Sequence, residues 1–202
     1  MKHFRKLLLV VLVVLVAGWG LNHLFQRLSA TSTPRTSQSA KKSTTNTTTQ
    51  AEAKTIDWRK PSESKAYPNL KKHPNAWLDV NTTRQRVYVK DGQRVLYTMY
   101  CSTGTGKKNG TPTGTYHIQS ERGTFFYNQS SGEGARYWVS WKDHGIYLFH
   151  SVPTDQDGHY IKKEAEELGK SAASHGCVRL SVADAKWVYE TVPYGMKVVI
   201  HS

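Results

Sequence analysis

Two β-rich runs meeting at Asp91-Gly92 constrain this chain most. Gln85-Arg86-Val87-Tyr88-Val89-Lys90 precedes the dipeptide, and residues 93–101 follow it. Asp-Gly between β-formers predicts a hairpin closed by a type I′ turn. The second run alternates: Val95, Tyr97, Met99 and Cys101 fall on one face, Arg94, Leu96, Thr98 and Tyr100 on the other. That period of two is the signature of a half-buried strand. Residues 77–80, 115–119, 137–141, 146–150 and 197–201 read as further strands, and residues 102–114 and 123–134 as loops. One helix is clear. Ser181 is its N-cap, with Asp184 three residues on in a capping-box pattern. Val182, Ala185, Val188 and Tyr189 recur at helical spacing, and Pro193 and Gly195 end it. About seven strands and one main helix predict a mostly-β domain with a β-sandwich or mixed-sheet core. Its roughly 130 residues suffice for a single core.

The domain occupies only part of the 202 residues. Residues 1–6 carry Lys2, Arg5 and Lys6. Residues 7–21, LLLVVLVVLVAGWGL, are free of charge. Extended to residue 25, the run approaches the ~20 residues a helix needs to span a bilayer. Residues 7–25 therefore read as a transmembrane signal-anchor. A cleaved signal peptide is the rival reading, but no clean small-x-small site follows the run. The basic flank keeps residues 1–6 cytoplasmic and places the rest outside. Residues 26–70 read as a disordered linker, because residues 29–55 hold no aromatic residue and are dominated by Ser and Thr. Some 40 such residues span roughly 35 Å end to end. Residues 71–202 are then the folded domain. Of the net +13, most sits before it: residues 1–69 hold 11 Lys/Arg against 3 Asp/Glu, and residues 70–202 hold 17 against 12. A basic tail outside a membrane suits anionic cell-wall polymers or headgroups. No nucleic-acid motif is present.

The chemistry is concentrated in Ser174-His175-Gly176-Cys177-Val178-Arg179-Leu180 and in the apolar run ending at His150-Ser151. Cys177 is the candidate nucleophile, and a thiol near its ordinary pKa needs a base or a favourable field. His150, at the end of a strand, is the expected base, with the backbone carbonyl of Ser151 placed to orient its ring. His175, two residues from Cys177, is the rival base or else shapes the pocket. Gly176 frees the backbone, so that the N–H groups of Gly176, Cys177 and Val178 can point at an oxyanion. Arg179 can hold a carboxylate in a bidentate pair, or fix the loop as an ion pair. Tyr127, Tyr137, Trp138 and Trp141 either line a groove or belong to the core. Cys101 and Cys177 could form one disulfide outside the cell; Cys101, ending an alternating strand, reads better as a small buried apolar residue.

These residues resemble the L,D-transpeptidase catalytic (YkuD) family, whose motif is a His, a variable gap and Ser-His-Gly-Cys-[Val/Ile]-Arg-[Leu/Met]. Ser102-Thr103-Gly104 and Thr111-Pro112-Thr113-Gly114-Thr115-Tyr116 form a second family-like block. The resemblance covers about residues 75–201. It departs at Ser151, where many members have Gly, and in a long gap between His150 and Cys177 with an acidic insert at Glu164-Ala165-Glu166-Glu167. It implies a peptidoglycan stem peptide as substrate, a thioester on Cys177, transfer to an amine, acylation by carbapenems and no cofactor. It also implies substrate contacts at Ser174, His175, Gly176, Val178, Arg179, Tyr137 and Trp138.

Three other readings compete. An L,D-carboxypeptidase would use the same site with water as acceptor. A non-catalytic wall-binding module would leave Cys177 dispensable. A zinc hydrolase on His150, His175 and Cys177 lacks HExxH-type spacing and a fixed carboxylate ligand.

Overall fold

A computed structural model of the chain describes residues 55–202. The apolar run 7–25 and most of the Ser/Thr-rich linker lie outside the described residues. Among the described residues no helix is long and apolar enough to cross a membrane.

Nine strands form one sheet: β1 (Ala76–Asn81), β2 (Arg86–Asp91), β3 (Arg94–Ser102), β4 (Gly114–His117), β5 (Arg122–Asn128), β6 (Glu133–Lys142), β7 (Tyr147–Ser151), β8 (Val178–Leu180) and β9 (Lys197–His201). Their order is β4-β9-β1-β2-β3-β8-β7-β6-β5. The sheet is mixed: β1–β9 and β7–β8 are parallel, and the other neighbours antiparallel. It curls on itself. Just past β4 the Gln119 N–H donates to Ser140 O on β6 at 2.8 Å, and the Tyr116 and Trp141 rings meet at 4.9 Å. Leu78, Val80, Val87, Val89, Met99, Phe149, Val178 and Val198 fill the enclosed core. Each such side chain, removed from water, contributes about 1.5–3 kcal/mol.

The predicted hairpin is present with a shifted turn. Asp91 pairs with Arg94, so the two loop residues are Gly92 and Gln93, not Asp91 and Gly92. Only Gly92 has positive φ, +56°, the pattern of a type II′ turn rather than type I′. A bulge opposite Val89/Lys90 then displaces the start of β3. Tyr97, Met99 and Cys101 are buried as expected, whereas Val95 is exposed. A second correction concerns residues 123–134: β5 takes up half of this expected loop and pairs with β6, which begins within it at Glu133.

The main helix, α2 (Val182–Thr191), follows a short α1 (Lys162–Ala165). Ser181 caps α2 by accepting the Asp184 N–H at 3.1 Å. The reciprocal half of the capping box is replaced. Asp184 is buried, and its carboxylate accepts from the Ser62 N–H and hydroxyl and from the Tyr67 hydroxyl. Burial pushes its pKa up. Residues 55–70, assigned above to the linker, are therefore strapped onto the domain. Trp58 is 6% exposed. It packs with Val152, Ala165 and Leu168 in a second small core, and its carbonyl accepts the Val182 N–H at 2.9 Å. Trp58 is the one fully buried hydrophobic side chain of this strap, which Tyr67 on Trp187 and the Ser62 and Tyr67 bonds to Asp184 also hold down. Trp58→Ala should cost about 3 kcal/mol, read as a lowered midpoint in a denaturant melt of the full chain; an unchanged midpoint would mean that the strap is not held there.

Candidate active site

The site grows out of the parallel β7–β8 ladder. Phe149, His150 and Ser151 stand opposite Val178, Arg179 and Leu180. Cys177 immediately precedes β8, so this register carries it to the same end of the ladder as His150, although 26 residues separate them in sequence. Both line one cavity of about 360 Å³, with Phe126, Glu133, Trp138, Ile146, His175 and Arg179 among its other walls.

His150 is 6% exposed. Its Nδ1 lies 2.6 Å from the Ser151 carbonyl. A carbonyl only accepts, so Nδ1 carries the proton and Nε2 keeps the free lone pair a base requires. Burial, reinforced by the charge of Arg179, holds the imidazole pKa down to about 3. Cys177 keeps some surface open, yet protein crowds the sulfur and burial pushes its pKa up to about 11. The Leu148 N–H and the Arg179 charge oppose that rise. The resting pair is thus a neutral thiol and a neutral imidazole. The thiol points at the Ile146 carbonyl, 3.6 Å away. Attack requires it to rotate towards His150.

The turn before Cys177 is tightly specified. Ser174 Oγ donates to the Cys177 carbonyl at 2.6 Å and accepts the Gly176 N–H at 3.1 Å. Gly176 has φ +122°, and a Cβ there would sit 2.9 Å from Tyr147 Cε1; both facts exclude a side chain. Thr111 Oγ1, from the Thr-Pro-Thr-Gly block, accepts the Gly104 N–H at 2.7 Å and donates to Gly176 O at 2.9 Å. Buried Gln85 (φ +54°) braces Thr103, and the Thr103 carbonyl accepts from Ala173 and Ser174. Sequence reasoning passed over Gln85 as a strand residue; its positive φ has no sequence signature.

Several expected roles shift. The Gly176 N–H is already engaged by Ser174, and Val178 belongs to the β7–β8 ladder with its side chain in the core. Of the three expected oxyanion donors, Cys177 N–H is the one not so engaged. Ser151 contributes its carbonyl; its hydroxyl accepts the Arg136 N–H and donates to Val152 O. Tyr137, at φ +55°, meets the Tyr189 ring of α2 at a tilt of 43° and packs against the core, away from the cavity. Trp141 is also core, whereas Trp138 is a wall. His175 is exposed, with Nδ1 3.6 Å from Glu133 Oε2. Arg179 differs most from expectation. It is 2% exposed and already holds two carboxylates, Glu133 at 2.7 Å and Glu164 at 2.9 Å. It is the loop-fixing ion pair rather than an open carboxylate anchor. Neither glutamate was singled out as a partner by the sequence.

Cys101 and Cys177 are both free. The ligand atoms of His150, His175 and Cys177 do not converge within 4.8 Å. Among the described residues the one such group of three is Asp155, Asp157 and His159, in a turn away from the cavity.

Comparison with known proteins agrees with this architecture. The model of the L,D-transpeptidase catalytic domain (YkuD) matches residues 75–200. YciB of Bacillus subtilis (strain 168), itself provisionally called an L,D-transpeptidase, is 51% identical over 147 residues, covering 72% of this chain and 74% of its own. An L,D-transpeptidase from Mycobacterium tuberculosis H37Rv superposes with TM-score 0.50 at 26% identity, over 63% of this chain and 58% of that one. One from Mycobacterium smegmatis does so with TM-score 0.52 at 20% identity, over 63% and 59%. The chain thus spans about three-fifths of the length of these solved structures. A matched catalytic-domain model over most of the folded part, and a half-identical relative over most of the chain, lead to one conclusion: this chain belongs to the L,D-transpeptidase catalytic domain (YkuD) family.

Proposed function

We propose that the chain is a cysteine acyltransferase acting on peptidoglycan stem peptides. The observation carrying this reading is the His150 Nδ1–H donated to Ser151 O, which leaves Nε2 as a base on the wall Cys177 shares. Cys177 passes its thiol proton to Nε2 as the sulfur attacks the carbonyl of the third stem residue. The Cys177 N–H stabilises the oxyanion. The C–N bond to the terminal D-residue breaks, and the imidazolium protonates the departing amine. The thioester is then resolved by an acceptor amine, which loses its proton to His150 and expels the thiolate. Ser174, Gly176 and Thr111 hold the nucleophile's turn in place, and Trp138 and Phe126 wall the substrate. No metal or organic cofactor enters these steps. The apolar run 7–25 anchors the chain in the membrane, and the basic tether lets the domain work on the wall outside, near anionic polymers.

The test is intact-mass measurement of the full chain after incubation with a tetrapeptide stem. The expected adduct equals the donor minus its terminal D-residue, and it is absent in Cys177→Ala. A D-amino acid acceptor should discharge it as an exchanged tetrapeptide. Discharge only as free tripeptide would assign a carboxypeptidase instead, and no adduct under any condition would end the acyl-transfer reading.

A further inference from the structure

Fixed charge on the cavity wall is confined to two residues, Glu133 and Arg179, and they are paired to each other. The second terminal nitrogen of Arg179 is held by Glu164, from the acidic insert. One guanidinium between two carboxylates leaves the unit with a net negative charge. Its cation is hidden, at 2% side-chain exposure, while Glu133 keeps 22%. Arg179 and His175 both approach the same oxygen of Glu133, Oε2. The other oxygen, Oε1, accepts no hydrogen bond from any described residue. Beside Glu133 in the wall stand the rings of Trp138 and Phe126, edge to face at 6.4 Å. A carboxylate with a spare oxygen next to aromatic faces, where the neighbouring cation is already neutralised, suits an alkylammonium: it offers a charge-assisted hydrogen bond and a cation–π surface together. A substrate carboxylate would meet the same unit as a like charge.

We infer that Glu133 is the ammonium-binding residue of this cavity, taking a primary alkylammonium of the peptide substrate. The inference rests on the acyl-transfer reading above and narrows its substrate class. The ammonium can come from the side chain of the donor's third residue or from the acceptor. Glu164 acts through Arg179 as a positioning residue, since by binding its far side it keeps Glu133 from being fully neutralised.

The experiment compares three tetrapeptide stems differing only in the third residue: lysine, its uncharged analogue norleucine, and its carboxylate analogue 2-aminoadipate. The full chain is acylated without acceptor and followed by intact mass. Lysine should exceed norleucine by about tenfold in acylation efficiency, the worth of one charge-assisted contact, with 2-aminoadipate slowest. In Glu133→Gln the lysine advantage should shrink to within about twofold. If the acceptor supplies the ammonium, the three stems acylate alike, and Glu133→Gln instead raises the KM for a diamino acid acceptor relative to a monoamino one. The stem series on the unaltered chain does not depend on the variant folding. Equal acylation by all three stems, together with an unchanged acceptor preference in the variant, overturns the ammonium site while leaving acyl transfer intact. Absence of any adduct overturns acyl transfer itself.

Discussion

His150→Ala should slow acylation of Cys177 by a stem peptide or a carbapenem about 10²–10⁴-fold, the usual worth of a positioned general base. The same substitution should barely alter the pH profile of alkylation by iodoacetamide. The two expectations separate because Cys177 and His150 do not rest as an ion pair. The imidazole pKa is held down to about 3 and the thiol pushed up to about 11, so neither is charged at neutral pH. A preformed thiolate–imidazolium pair would give alkylation a plateau between pH 6 and 8 that His150→Ala would abolish. A neutral pair gives a rate that climbs steadily through pH 9 and beyond, with or without His150. Peptide mapping should keep Cys101 out of the signal, since its own burial raises its pKa further still. A neutral-pH plateau in the unaltered chain would contradict the neutral pair, and unimpaired acylation in His150→Ala would remove His150 as the base.

The parts of this site legible in the sequence are those set by local rules. The Ser-His-Gly-Cys turn needs its glycine because φ is +122° and Tyr147 leaves no room, and a short motif can announce that. The His150–Ser151 contact joins adjacent residues, so it too could be anticipated. Strands with one buried face, such as β3, declare themselves by alternation. β5 did not, because Thr124, Phe125, Tyr127 and Asn128 are exposed on both faces of a projecting hairpin; no core imposes a period on them. The strap was misread for the converse reason. Its apolar anchors, Ile56, Trp58, Tyr67 and Leu70, are scattered among polar residues with no strand or helix period, and the Asp184 that holds Ser62 lies 122 residues away. The Arg179 partners also lie beyond local rules, at separations of 46 and 15 residues. Only the folded sheet shows that the arginine's terminal nitrogens are already occupied.

Arg179→Met should destabilise the domain by about 3–5 kcal/mol, the cost of removing one member of a buried ionic cluster. The loss comes less from the missing attraction than from what remains. Glu133 and Glu164 converge on the guanidinium from β6 and α1, and without it two carboxylates, 22% and 33% exposed, are left close together over the buried hole where the arginine was. For a domain of this size that cost lowers the melting temperature by roughly 10 °C. Arg179→Lys should fall only partly short of this, since a single ammonium cannot span both carboxylates as the planar fork does. The native pairing is itself imperfect: Arg179 Nε is buried without a hydrogen-bond partner among the described residues. Neutralising the whole unit should therefore be tolerated better than breaking it. The triple substitution Arg179→Met, Glu133→Gln, Glu164→Gln should recover most of the lost melting temperature while leaving no preference for an ammonium-bearing substrate. Melting of Arg179→Met within about 2 °C of the parent would mean that the two carboxylates find water or protons without the arginine, and the charge that sets the cavity's selectivity would then not be held by this cluster.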